Sequence, residues 1–281
     1  MIKLFASDMD GTLLDQNHEL NQTTADAVKA LQVSGVEFII STGRDYQSAR
    51  NFLATYHIDC AMINLNGAQI FDATGQLIDE SPLINTTTQQ VLDYLHQEKL
   101  AYSLTTRQNF YLSNKQDYIN HMMQSHEHLD ELTIAQVTDK IKMTLDAYDY
   151  QLTDSNPVFK LMIISDDAPT LEKARHYLET FPDLDITSSG PGNLEITHIE
   201  AQKGLALAKY LAAKHYTFEE TLTIGDSLND RSMLSMCPNS YAMDNASDEV
   251  KTMAAHIAPS NVENGVATII YQLISKQSEE V

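Results

Sequence analysis

ASDMDGTLLD, residues 6–15, follows the apolar run Ile2-Lys3-Leu4-Phe5, and its reading decides how the rest of the chain is read. A short buried strand ends here in two aspartates one residue apart, then a glycine and a threonine. Like charges this close repel, and a carboxylate beside a core strand is costly to desolvate. Something elsewhere in the chain must compensate Asp8 and Asp10.

The strand opens an alternation. Residues 23–35, TTADAVKALQVSG, place Ala25, Val28 and Leu31 at helical spacing and end on Gly35, a residue suited to a helix C-terminus. VEFIIS (36–41) reads as a strand, 45–57 as an amphipathic helix and CAMINL (60–65) as a third strand. This βαβαβ order predicts a parallel sheet with helices on its faces. Residues 66–80 alternate by twos around Ala73-Thr74-Gly75, a hairpin signal. After Pro82 strict alternation stops. Helices are expected over 86–99, 115–128 and 168–181, and strands within 100–106, 110–113, 158–165, 184–189 and 193–198. Near residue 200 the first texture returns, with helices over 203–214, 230–237, 247–255 and 264–275 and strands over 221–225 and 240–243. The expected architecture is a Rossmann-like, doubly wound parallel α/β core made of residues 1–82 and 197–281. An α+β insert, residues 83–196, interrupts it and is large enough to be a domain.

Composition narrows the partners. The 281 residues are 43% hydrophobic, which allows a sizeable core. The net charge of −21, from 18 Lys+Arg against 39 Asp+Glu, argues against nucleic acid and against an anionic membrane surface. A small anionic substrate would need its own local positive charge. Cys60 and Cys237 form no CxxC motif and read as unreactive thiols in a reducing compartment. No basic stretch followed by an apolar run opens the sequence, and no apolar run reaches the length of a membrane span. A soluble cytoplasmic protein is expected. Oligomeric state leaves no trace in the sequence.

In open α/β sheets, sites form at the carboxyl ends of the strands. Three core strands end in polar clusters: Asp8-Met9-Asp10-Gly11-Thr12, Ser41-Thr42-Gly43-Arg44 and Gly225-Asp226-Ser227-Leu228-Asn229-Asp230. A helix start adds Lys203-Gly204. If the strands are parallel neighbours, four carboxylates (Asp8, Asp10, Asp226, Asp230) converge with two cations (Lys203, Arg44). Clustered carboxylates call for a divalent cation, and all-oxygen ligation suits Mg²⁺. A carboxylate nucleophile, a second carboxyl for proton transfer, a metal and a lysine make a phosphoryl-transfer site. DMDG superficially resembles a calcium loop, but that loop needs glycine at its sixth position, where Leu13 stands, and a preceding helix.

At these residues the chain resembles the haloacid dehalogenase superfamily, and within it the Cof-type sugar-phosphatase-like members. The matching stretches are DMDGTLLD, STGR, Asn66-Gly67, Lys203-Gly204, GDSLND, AMDNA with Val250-Lys251, and NGVA. The position and size of the insert look like a C2-type cap. The resemblance implies Asp8 as the nucleophile that becomes aspartyl-phosphate, and Asp10 as acid, then base. It implies Mg²⁺ bound by the Asp8 and Asp226 side chains and the Asp10 carbonyl. The Met9 and Gly43 N–H groups, Thr42 and Asn229 would hold phosphoryl oxygens, with Arg44 beside them. Lys203 would neutralise Asp8, and Asp230 would orient Lys203 or a metal-bound water. Gly11 would let the chain turn away from the phosphate.

The expected activity is Mg²⁺-dependent hydrolysis of small phosphorylated metabolites, sugar phosphates foremost. The alternatives are a phosphomutase acting on hexose phosphates and a non-catalytic phosphosugar-binding regulator. In the insert, His121, His126 and His128 cluster without a usual zinc spacing and read as a solvated helix end. Arg107, Tyr111 and Lys160 are candidates to face a substrate.

Overall fold

The computed structural model describes residues 1–125, 138–190 and 192–279. The chain begins with β1 (Leu4–Ser7), α1 (Gln22–Val33), β2 (Glu37–Ser41), α2 (Tyr46–Ala54), β3 (Ala61–Asn64), β4 (Gln69–Phe71) and β5 (Leu77–Glu80). It continues through α3 (Asn85–Gln97), β6 (Ala101–Thr106), β7 (Phe110–Leu112), α4 (Lys115–Ser125), β8 (Leu145–Asp146), β9 (Val158–Ile164), α5 (Ala168–Leu178), β10 (Leu184–Thr187) and β11 (Asn193–His198). Its last described part holds α6 (Lys203–Lys214), β12 (Thr221–Gly225), α7 (Arg231–Met236), β13 (Ser240–Met243), α8 (Asp248–Lys251), β14 (His256–Ala258) and α9 (Gly265–Glu279). Two compact units result, Met1–Glu80 with Ala201–Val281, and Ser81–Glu200.

The first unit is a sheet in the order β14-β13-β12-β1-β2-β3-β4-β5. The run from β14 to β3 is parallel, and β4 and β5 add an antiparallel edge. The central strands β1, β2, β3 and β12 are buried almost throughout because both faces are covered. Leu4, Ala6, Ile39 and Ile63 pack on one side with Leu207, Tyr210 and Leu211 of α6. Phe5, Phe38 and Ile40 pack on the other with Val28 and Leu31 of α1 and Ile270 of α9. The Asn21 and Asp45 side chains cap α1 and α2 by accepting the N–H groups of Thr24 and Ser48.

β1 lies between β2 and β12, so Phe5 stands opposite both Phe38 and Leu222. From β1 the chain moves outward through β2 and β3 on one side, and later through β12, β13 and β14 on the other. This reversal is the topological switch point of the sheet, where the ends of neighbouring strands part and leave a crevice. One expectation needs correcting: 247–255 is helical only over Asp248–Lys251, and an unforeseen strand, β14, follows. After Lys251 the chain turns, the Ala255 N–H donates to Ser240 Oγ at 3.0 Å, and Tyr241 pairs with His256 at the sheet edge.

The second unit is a six-stranded sheet, order β10-β11-β9-β6-β7-β8, antiparallel except for β7 with β8. Val91 and Leu95 of α3 and Ala174 and Leu178 of α5 pack with Tyr102, Leu104, Leu161, Ile163, Leu194 and Ile196 of the sheet. Among the described residues no helix is long and apolar enough to cross a membrane.

Candidate active site

Asp8 follows β1 directly. Its N–H donates to the Ile224 carbonyl of β12 at 3.0 Å, so the strand pairing continues into the first residue of the site. The next five residues make one wide turn, closed by the Leu14 N–H on the Met9 carbonyl at 2.9 Å. Gly11 takes φ +79° in that turn, and a Cβ there would stand 2.5 Å from an Asp226 carboxylate oxygen. The glycine serves two needs: a left-handed backbone and room for Asp226.

Asp226 and Asp230 come from the loop after β12. Thr12 Oγ1 donates to Asp226 Oδ1 at 2.6 Å, and Ser227 Oγ to its Oδ2 at 2.9 Å. Asp230 Oδ2 accepts the N–H groups of Asp226 (2.9 Å) and Ser227 (3.0 Å), which folds the loop around it. Lys203, the first residue of α6, places Nζ 2.6 Å from Asp230 Oδ1 and 2.6 Å from Asp8 Oδ1. Both Lys203 and Asp230 are fully buried.

Carboxylate oxygens of Asp8, Asp226 and Asp230 lie within 4.8 Å of one another. Burial, with Asp230 and Asp226 beside it, pushes the Asp8 carboxyl well above the usual range, although Lys203 opposes this. Burial and Asp230 push Asp226 up to about 6. Burial alone would lower Lys203, but Asp230 and Asp8 hold its ammonium above the ordinary lysine value. Three carboxylates around one ammonium carry two uncompensated negative charges when all are ionised, the charge a divalent cation balances. The donors are all oxygen, which fits a hard cation such as Mg²⁺. Asp230 has its oxygens held by the Lys203 ammonium and two backbone N–H groups, whereas those of Asp226 accept only from the Thr12 and Ser227 hydroxyls, which can rotate away, so Asp8 and Asp226 are the carboxylates that could ligate one.

Asp10 turns to a different set of partners. Arg44 grips it through Nε to Oδ2 at 2.8 Å and Nη2 to Oδ1 at 2.5 Å. His18 Nδ1 adds a contact to Oδ1 at 2.9 Å. Burial works against ionisation here, yet the hydrogen bonds from His18 and Arg44 hold Asp10 well below the usual carboxylate range. Arg44, expected among the phosphate ligands, thus has its guanidinium on Asp10. His18 escaped the sequence reading, since a lone histidine in a loop matches no pattern. The only available signal was Asp15 three residues earlier, an aspartate able to fold a tight turn.

The remaining expected phosphate ligands gather nearby on the chain ends of β2 and β12. Thr42 is buried, with its Oγ1 accepting the Arg44 N–H at 3.1 Å and its N–H donating to the Ile63 carbonyl at 2.8 Å. Gly43 sits between them in the turn after β2. Met9 buries its side chain in the core beside α1 and α9, leaving only its backbone for any ligand. Asn229 Nδ2 donates to Asn66 Oδ1 at 3.2 Å, while its Oδ1 is buried without a partner.

The candidates of the insert find partners within the insert. Lys160 is buried in an ion pair with Glu195 at 2.5 Å. Tyr111 packs against Tyr150 at 5.2 Å between ring centroids. The Arg107 guanidinium lies over Phe159 at 6.0 Å. His121 Nδ1 is 3.4 Å from Asp166 Oδ1, and His126 and His128 lie outside the described residues.

The model of the haloacid dehalogenase-like hydrolase family matches residues 5–270. Phosphatase YwpJ of Bacillus subtilis is 27% identical over 97% of this chain and 100% of its own. A 5-amino-6-(5-phospho-D-ribitylamino)uracil phosphatase, YcsE, from the same organism is 29% identical over 96% of this chain and 94% of its own. The solved structure of a haloacid dehalogenase-like hydrolase from B. subtilis matches with a TM-score of 0.86 at 26% identity, covering 97% of this chain and 100% of that one.

Proposed function

Because this chain belongs to the haloacid dehalogenase-like hydrolase family and is a phosphatase, we propose that it hydrolyses small phosphorylated metabolites, sugar phosphates foremost, with Mg²⁺ and through a phosphoaspartate on Asp8. The observation that carries this reading is the buried ammonium of Lys203 held 2.6 Å from Asp8 Oδ1, among carboxylates whose excess charge a divalent cation balances. A binding protein has no need of such an arrangement.

In this reading Asp8 has one oxygen fixed by Lys203, and its other oxygen attacks phosphorus. The ester P–O bond breaks, and the leaving oxygen takes a proton from Asp10. Asp10, now a carboxylate, then removes a proton from the water that attacks the phosphoaspartate and frees Asp8. Arg44 and His18 favour the ionised Asp10, so Asp10 takes up a proton from solvent before the first half-reaction, and their hydrogen bonds suit the carboxylate that begins the second. Asp8, Asp226 and the Asp10 carbonyl would hold Mg²⁺, which when bound offsets negative charge on the transferring group. Lys203 stabilises the same charge, and Asp230 holds Lys203 in place. Thr42, Gly43, Met9 N–H and Asn229 would receive the phosphoryl oxygens.

The sugar phosphate class is supported by the relative named for a 5-phospho-D-ribityl compound, a phosphomonoester on a polyol chain. The test is phosphate release with Mg²⁺ across sugar phosphates, nucleotides and phosphorylated cofactors. Release from sugar phosphates above the other classes supports the proposal. Conversion of a hexose phosphate to an isomer without free phosphate would instead identify a mutase.

A further inference from the structure

We infer that His18 is a positioning residue for Asp10, adding a further donor to the Oδ1 that Arg44 Nη2 also holds. The inference rests on the acid–base reading of Asp10 given above.

The loop that carries His18 is built by Asp15. The Asp15 carboxylate accepts the N–H groups of Asn17 at 2.8 Å and Glu19 at 3.0 Å. The Asp15 backbone pairs with Glu19 at 2.9 Å and receives the His18 N–H at 3.0 Å. This closes a tight turn that needs nothing from the His18 ring. His18 itself is left-handed, with φ +57°. Glycine or asparagine adopts that conformation more readily. The imidazole is also 39% exposed, so it contributes little to the core. Its Nδ1 stands 2.9 Å from Asp10 Oδ1. An ionised carboxylate only accepts, so Nδ1–H donates.

Arg44 and His18 come from different elements, the end of β2 and the loop before α1, 34 and 8 residues from Asp10 in sequence. The guanidinium fork engages both oxygens. It sits at the end of a long side chain and can carry the carboxylate with it as it moves. A third donor, on a turn closed by its own hydrogen bonds, removes that freedom. Proton transfer to a leaving oxygen is sensitive to such displacement, and misplacement by about 1 Å costs on the order of 10²-fold in rate.

The test compares kcat of the full-length His18→Ala, His18→Asn, Asp10→Asn and His18→Ala/Asp10→Asn proteins on a hexose phosphate and on p-nitrophenyl phosphate. The aryl leaving group needs little protonation. His18→Ala is expected to lose about tenfold on the hexose phosphate and markedly less on the aryl ester. His18→Asn, whose amide nitrogen approximates Nδ1 and which tolerates the left-handed backbone, should recover most of the loss. On the Asp10→Asn background, His18→Ala should add no further leaving-group dependence. If His18→Ala melts below the assay temperature, His18→Gln replaces it, because its amide reaches past the δ position. Equal losses on both esters for His18→Ala, with leaving-group dependence intact in Asp10→Asn, overturn the inference alone. Equal losses for Asp10→Asn overturn the acid–base reading and this inference with it.

Discussion

The volume that a side chain would fill at Gly11 is filled by the Asp226 carboxylate, whose nearest oxygen lies 2.5 Å from the position of a Cβ. Residues far apart in sequence are thereby locked in register. Gly11→Ala should keep the fold but displace Asp226, and weaken apparent Mg²⁺ affinity by about 10–100-fold, as changes around a metal ligand do. Titrating activity and melting temperature with Mg²⁺ measures this. An unchanged midpoint in both would show that Asp226 is not a ligand.

Lys203→Met should abolish most turnover and also destabilise the protein. Removing the ammonium leaves Asp8 and Asp230 buried without their cation, a loss of about 3–5 kcal/mol. Mg²⁺ should restore part of the stability and none of the rate. Urea unfolding with and without Mg²⁺ reads the first, and phosphate release the second. A Lys203→Met protein as stable as the parent would mean that the buried charges are not paired as described.

Asp8→Asn should reduce turnover to background without lowering the metal-free melting temperature, because it removes a carboxylate that burial already disfavours. Acid-quenched parent enzyme caught during turnover should carry one extra phosphoryl group by mass, and the Asp8→Asn variant none. A phosphorylated Asp8→Asn protein would place the nucleophile elsewhere.

Stability without metal should fall as pH rises through about 6, the value to which Asp226 is pushed. The unfolded carboxyl titrates at about 4, so between these values the native state holds a proton that the unfolded chain has released. Stability gained from that proton is present in full below the unfolded value and is lost above the folded one. Mg²⁺ competes for the same carboxylate, so it should raise the melting temperature more at about pH 7.5 than at about pH 5.5. The Asp226→Asn variant should lose the share of this dependence that Asp226 carries, while Asp8, which burial also pushes up, keeps its own. Parent and variant melting curves that vary identically with pH would assign the effect to other groups.

Substrate choice should follow the insert, since on the proposed mechanism the core residues gathered at Asp8 account for the phosphoryl group and leave the rest of the substrate unread. Exchanging residues 81–200 for those of a relative with a different preference should move the ranking of substrates and leave Mg²⁺ dependence as it was. A folded, active exchange with the original ranking would return specificity to the core.

Much of this was legible because strand ends in a parallel sheet follow strict rules. Asp8 and Asp226 could be brought together on paper once β1 and β12 were read as core strands, and Lys203 followed as the start of a helix. The partners of Asp10 were less accessible. Arg44 read as a phosphate ligand because sequence shows a guanidinium's position and not its direction. His18 depends on a turn that Asp15 closes, and only the three-dimensional path of that turn aims its ring. Gly11 was read as a hinge for the backbone, and its second duty toward Asp226 appears only when a loop more than two hundred residues away is in place. β14 was missed because an edge strand of three residues takes its stability from its neighbour.

The pairing of β1 with β12 also dictates an order of assembly. A ribosome makes Asp8 early, but Lys203 and Asp226 emerge only after the whole of 81–200. Until then β1 has no partner on one side, and Asp8 has neither its ammonium nor its neighbouring carboxylate. The insert, by contrast, is continuous in sequence and can fold while the first core segment waits. On the proposed mechanism, a chain stopped before β12 carries Asp8 without the groups it would work with.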